Sequence, residues 1–112
     1  MKATLIKAQR IRDLNDELRR TFLGGHVVFT AGVAAMAADR RRSLLRMIRK
    51  FDDFTPDNDP HGEHDFGSID EHDVSCFWKI DYFDQTMNFG SPDAADPAVT
   101  VRVLTIMRAD EY

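Results

Sequence analysis

Cysteine occurs once in these 112 residues, at Cys76. That excludes an intrachain disulfide and a thiolate-rich zinc site. A reducing, cytoplasmic setting is the simple expectation. Long apolar runs are absent too, and ~20 such residues are needed to cross a bilayer. The first residues, MKATLIKAQRIRDL, carry a charge every few positions, which excludes a secretory leader. No membrane partner is expected. Also missing are GxSxG, a P-loop and GxGxxG, so no nucleophile elbow or nucleotide cradle is visible. The most local absence is of lysine and arginine from residues 51–73, which hold nine acids.

What is present reads as one domain, 1–112. The apolar fraction of 43% and charged fraction of 30% are globular values. The net charge of −4 conceals a division. Residues 1–50 hold 12 Lys/Arg against 4 Asp/Glu, and residues 51–112 hold 3 against 15. Either basic helices pack beside an acidic sheet, or the molecule has two surfaces of opposite sign.

Periodicity places the elements. Ala8, Ile11, Leu14, Leu18 and Phe22 share one face of a helix over 4–22, which Gly24 and Gly25 stop. HVVFTA, 26–31, is β-branched and aromatic, hence a strand, broken by Gly32. A second helix spans 39–51, with Asp39 as its N-cap and Leu44, Ile48 and Phe51 as its buried stripe. Residues 64–69 form a short strand and 70–73 a polar turn. In 74–84, Val74, Cys76, Trp78, Ile80 and Tyr82 point one way, so this is the clearest strand. A loop over 85–98 leads to a last strand, 99–107, expected at an exposed edge that would permit dimerisation. The expected fold is α+β: a two-layer sandwich with two helices on one face of a mostly antiparallel sheet of about four strands. The order is helix-strand-helix-strand-strand-strand, and the sheet position of strand 26–31 stays open.

GGHVVFTAGVAAM, FDDFTPDNDPHGEHDFG, FWKIDYFD and GSPDAADPAVTVRVLTIM together carry a resemblance. Over about residues 10–112 the chain resembles the small bacterial domain-of-unknown-function 3768 family. The resemblance implies an alphaproteobacterial, plasmid-borne or integrative-element setting near antirestriction-type genes. It implies no assigned activity, and it supplies neither catalytic residues nor a cofactor.

The stretch FDDFTPDNDPHGEHDFG, 51–67, raises the functional question. Asp57, Asp59, His61 and Gly62 begin an EF-hand-like register, but His61 replaces an Asp or Asn and Ser68 stands where a bidentate Glu belongs. His61, Glu63 and His64, with Asp65 and His72 nearby, are the candidate ligands of a metal-dependent enzyme, although their spacing matches no recognised zinc pattern. Acids are abundant enough for paired-carboxylate hydrolysis, yet nothing indicates a pair. Cys76 reads as a small core hydrophobe. Turn chemistry explains much of the stretch: 55–58 and 59–62 each carry proline second, and Phe51, Phe54 and Phe66 anchor the ends. Turns need some of these aspartates but not all six acids of the stretch.

The expectation is therefore a non-catalytic protein without cofactor. It binds a basic-surfaced protein partner through Asp57, Asp59, Glu63, Asp65, Asp70, Glu71 and Asp73. A nucleic-acid-binding subunit of a host defence system is one such partner, which would make the chain an anti-CRISPR or antirestriction inhibitor. Arg40, Arg41 and Arg42 are candidate anion binders, sitting at the helix end the dipole disfavours for cations. A nucleic-acid regulator using Arg10, Arg12, Arg19, Arg20 and that run is the third reading; a pI near 5.5 argues against it.

Overall fold

The computed structural model describes residues 2–71 and 73–112, and side chains from residue 6 onward. The first helix, α1, runs Lys2–Thr21. Ile11 and Leu18 bury as the spacing predicts, at 4% and 0% exposure. The helix stops at Phe22, whose φ of 61° is left-handed and whose amide closes on the Leu18 carbonyl at 2.7 Å. Gly24 continues the turn at φ 89°. So a phenylalanine carries the stop expected of the two glycines, with the Arg49 guanidinium lying 5.3 Å from its ring centroid.

Strand β1 is only His26–Phe29. It is shorter than expected because Thr30 opens a four-residue helix, α2, Ala31–Ala34. Gly32 thus sits inside a helix and not at a break between strand and loop. Helix α3 is Ala38–Arg49 and buries Leu44 and Ile48. Its N-cap is Ala37, with no side-chain cap, and Asp39 lies within the first turn.

β2 covers Phe66–Glu71, β3 Val74–Phe83 and β4 Val101–Arg108. The sheet order is β1-β4-β3-β2. β2, β3 and β4 form the expected antiparallel meander, but β1 pairs parallel to β4, so the sheet is mixed. The chain order is helix-strand-helix-helix-strand-strand-strand, because α2 is an extra element. β4 is an interior strand with neighbours on both sides, so it offers no edge for dimerisation.

Alternation in β3 puts Cys76, Trp78 and Ile80 on the inner face, each under 5% exposed. Register aligns Ile69, Leu104 and Ile106 with them. Leu18, Val33, Leu44 and Ile48 from the three helices complete one core. On the other face Phe66, Phe77 and Tyr112 make an aromatic group, with centroids 5.3–6.1 Å apart.

Candidate functional site

The acidic stretch is a braced loop between α3 and β2. Within it, Asn58 and Thr55 bond reciprocally, with Thr55 N donating to Asn58 Oδ1 at 2.7 Å and Asn58 N to Thr55 Oγ1 at 3.2 Å. Asn58 Nδ2 also donates to the Asp53 carbonyl. The second turn closes from Gly62 N to Asp59 O at 3.1 Å, with Gly62 at φ 67°. Both turns expected from the prolines are present, and Gly62 supplies the positive φ.

Three side-chain groups tie the loop to the fold. The first centres on His64, which takes φ 54° and so lies in the loop and not in a strand. Its Nδ1 is 2.8 Å from Asp16 on α1, its Nε2 is 3.7 Å from Asp59, and its ring stacks on Phe54 at 3.7 Å. The second runs through Tyr82, whose hydroxyl donates to Glu63 Oε1 and accepts from Asn15 Nδ2, both at 2.8 Å. Asn15 Nδ2 also reaches the Glu63 carbonyl, and Arg102 Nε donates to Asn15 Oδ1 at 2.7 Å. Arg102 continues to the Ala94 carbonyl. Burial, followed by the Glu63 carboxylate, pushes the Tyr82 hydroxyl far above its ordinary range, so it stays protonated and donates.

The third group is Arg19. It is fully buried and donates to the carbonyls of Ile48, Arg49 and Phe51 at the end of α3, where helix carbonyls run out of amide donors; of the three, Ile48 alone also accepts from a backbone amide, that of Phe51. Its charge is balanced by Asp16 at 3.0 Å. Burial lowers its pKa, against the opposing pull of Asp16.

This placement sorts the seven candidate partner-binding acids. Asp57, Asp70 and Asp73 are exposed. Asp70 accepts from Ser75, and Asp73 pairs with Arg40 at 3.1 Å. Asp59, Glu63, Asp65 and Glu71 turn inward: the Asp59 side chain is 7% exposed and residue Glu71 3%. Asp65 is partly buried, and burial raises its pKa, with Glu63 and Asp59 adding to the rise. Two acids outside that set, Asp52 and Asp53, are exposed beside Asp57.

The three candidate metal ligands are engaged elsewhere. His61 is exposed, Glu63 is held by Tyr82, and His64 is held by Asp16 and Asp59. Among the described residues no three His, Cys, Asp or Glu side chains converge as a metal site, and His72 lies outside those residues. The arginine run is divided as well. Arg40 bonds Asp73 and the Glu71 carbonyl, Arg41 the carbonyls of Ala34 and Met36, and Arg42 is exposed.

Sequence reading missed Asn15 and Arg102, and counted Arg19 toward an exposed basic face although it is fully buried. A signal existed for the two it missed. Asn15 falls in the row Ile11–Asn15–Leu18 on the buried face, and Arg102 shares its strand face with Leu104 and Ile106. A polar residue inside an apolar periodicity marks a buried network.

The fold defines a small α+β protein, three helices with a four-stranded mixed sheet, whose acidic loop is locked down by buried polar groups. The model of the family described as "Protein of unknown function (DUF3768)" matches residues 29–111, and the chain belongs to that family. The match starts later than the resemblance suggested, within β1 and after α1. No curated protein and no solved structure matches the chain.

Proposed function

We propose that this chain is a non-catalytic binding protein that presents the outward acids of its braced loop to a basic surface on a protein partner. The observation that carries the reading is the division within one loop. Asp59, Glu63 and His64 are spent on holding it. The carboxylates of Asp52, Asp53 and Asp57 face solvent without a hydrogen bond or ion pair among the described residues. A loop fixed in advance loses little entropy on binding, so its charges are available as preorganised acceptors for Lys and Arg. Asp70, near the end of β2, and Asp73, in the turn that follows, would extend the acidic rim.

The partner proposed is a nucleic-acid-binding subunit of a host defence system, met in the cytoplasm of a cell carrying this gene on a mobile element. Complementary charge supports it, as does the mobile-element setting that family resemblance implies. The test compares the wild type with Asp52→Asn/Asp53→Asn/Asp57→Asn as bait in host lysate. The expected result is a basic partner retained by the wild type at low salt and lost by the triple variant, with melting temperatures equal. Retention of the same partner by both proteins overturns the reading.

A further inference from the structure

Two cations of the basic face suggested by the sequence, Arg20 and Arg42, are joined in the fold by three others, Arg46, Arg49 and Lys50. Arg42, Arg46 and Arg49 in α3 and Lys50 at its C-cap recur at spacings of four, three and one. They therefore share one face, opposite Leu44 and Ile48, and all four are exposed. Arg20, from the last turn of α1, joins them. Arg20, Arg46, Arg49 and Lys50 line a cleft of about 280 Å³ that no acid lines.

Two of these cations have structural work. Arg49 Nε donates to the Arg20 carbonyl at 3.0 Å, and Arg20 approaches Asp16 at 3.9 Å. Helix C-termini also favour cations, but each carries only about half a negative charge. That leaves the cleft strongly positive. The side chains of Arg42, Arg46 and Lys50 make no hydrogen bond or ion pair among the described residues.

We infer that this stripe is a track for the phosphodiester backbone of a nucleic acid. Guanidinium forks match phosphate oxygens in geometry and charge. Positions 42–50 span ~12 Å of helix axis, more than a single phosphate occupies. No aromatic lines the cleft, and the Phe22 ring is already covered by Arg49, so bases find no stacking platform. Contacts go to the backbone and carry no sequence preference. The acidic pI of the whole chain does not oppose this, because a phosphate within a Debye length of ~10 Å senses the local cations first. The inference is independent of the acidic-loop proposal: it uses other residues of opposite sign.

The test is fluorescence anisotropy with labelled duplex DNA, duplex RNA and single strands of about 20 nucleotides across a salt series. Wild type should bind at least one of these, with log K falling against log salt at a slope of about −3. Arg46→Gln/Lys50→Gln should weaken binding about tenfold and reduce the slope by about two. Lys7→Gln/Arg10→Gln makes the same change in net charge at the other end of α1 and should leave affinity within about twofold, as expected for a local contact. The inference is overturned by salt-independent or absent binding of the wild type. It is equally overturned by unchanged affinity in a folded Arg46→Gln/Lys50→Gln protein, or by an equal loss in the control. Binding to anionic-lipid vesicles or an acidic peptide without binding to any nucleic acid also overturns it.

Discussion

Trp78 lies across Gly67, and the absence of a side chain there makes the packing feasible. A Cβ on Gly67 would overlap the indole of Trp78, which is completely buried. Gly67→Ala should cost about 1–3 kcal/mol through overpacking, read as a shift of the urea midpoint at unchanged m. Asp65 behaves differently, because burial penalises its charge. Its folded pKa lies above the unfolded value, so its contribution is fully present below the unfolded pKa and is lost as pH rises through the folded one. Asp65→Asn should therefore raise the melting temperature at pH 7 and bring no gain in acid. Thermal unfolding at both pH values checks this, and an equal gain at both would show that charge burial is not the cause. Neither effect is visible in the sequence. Asp65 and Asp57 are the same residue type in the same acidic run, and only packing separates an inward carboxylate from an outward one.

Elements are joined here by polar clamps as much as by apolar contact. Tyr82, at the end of the apolar face of β3, links that strand to α1 and to the acidic loop. Tyr82→Phe leaves Glu63 and Asn15 short of a partner and should cost about 1–3 kcal/mol. Hydrogen exchange should show the loss spreading into 59–65, whereas a purely local change would overturn the clamp. At the C-terminus, Glu111 accepts from Thr30 Oγ1 at 2.6 Å and from the amides of Gly32 and Arg108 at 2.9 Å each. The Thr30 bond first, then the two amides, hold its carboxyl below the usual range. A depressed folded pKa gives support that is present above the unfolded pKa and is lost as pH falls through the folded one. The Gly32 amide shift should accordingly titrate in step with Glu111, below the ordinary Glu range, and should lose that step in Glu111→Gln. The alternation of β3 was legible because period two needs no partner to be recognised. α2 was not legible: AGVA is too short for a helical period, and its docking comes from Val33 and the Glu111 clamp.

For the molecule as a whole, the matched family segment and the folding unit do not coincide. The match begins at residue 29, yet Leu18 belongs to the core, and Asn15, Asp16 and Arg19 supply the loop's braces from α1. A chain beginning at residue 29 would leave the Arg49 and Phe51 carbonyls without their donor and Trp78 without Arg19 over its ring. Such a chain should show no cooperative unfolding transition by near- and far-ultraviolet circular dichroism. A sharp transition would show that α1 is dispensable. The charge division of the two halves also resolves at this scale. Part of it is internal pairing, as in Arg40–Asp73 and Lys7–Asp93. The remainder is left outside as Asp52, Asp53 and Asp57 on the loop and the α3 stripe on the helices.

The α+β class, the meander of the last three strands, both turns of the acidic loop and most of the core follow from local periodicity and turn chemistry, and so were legible in the residues alone. The tertiary structure alone decided that β1 pairs parallel with β4, that His64 adopts a left-handed backbone between Asp16 and Asp59, and which charges remain free. Those outcomes depend on residues dozens of positions apart meeting in one low-dielectric interior. There a carboxylate or guanidinium must find a partner or stay outside, and identical residue types acquire different roles.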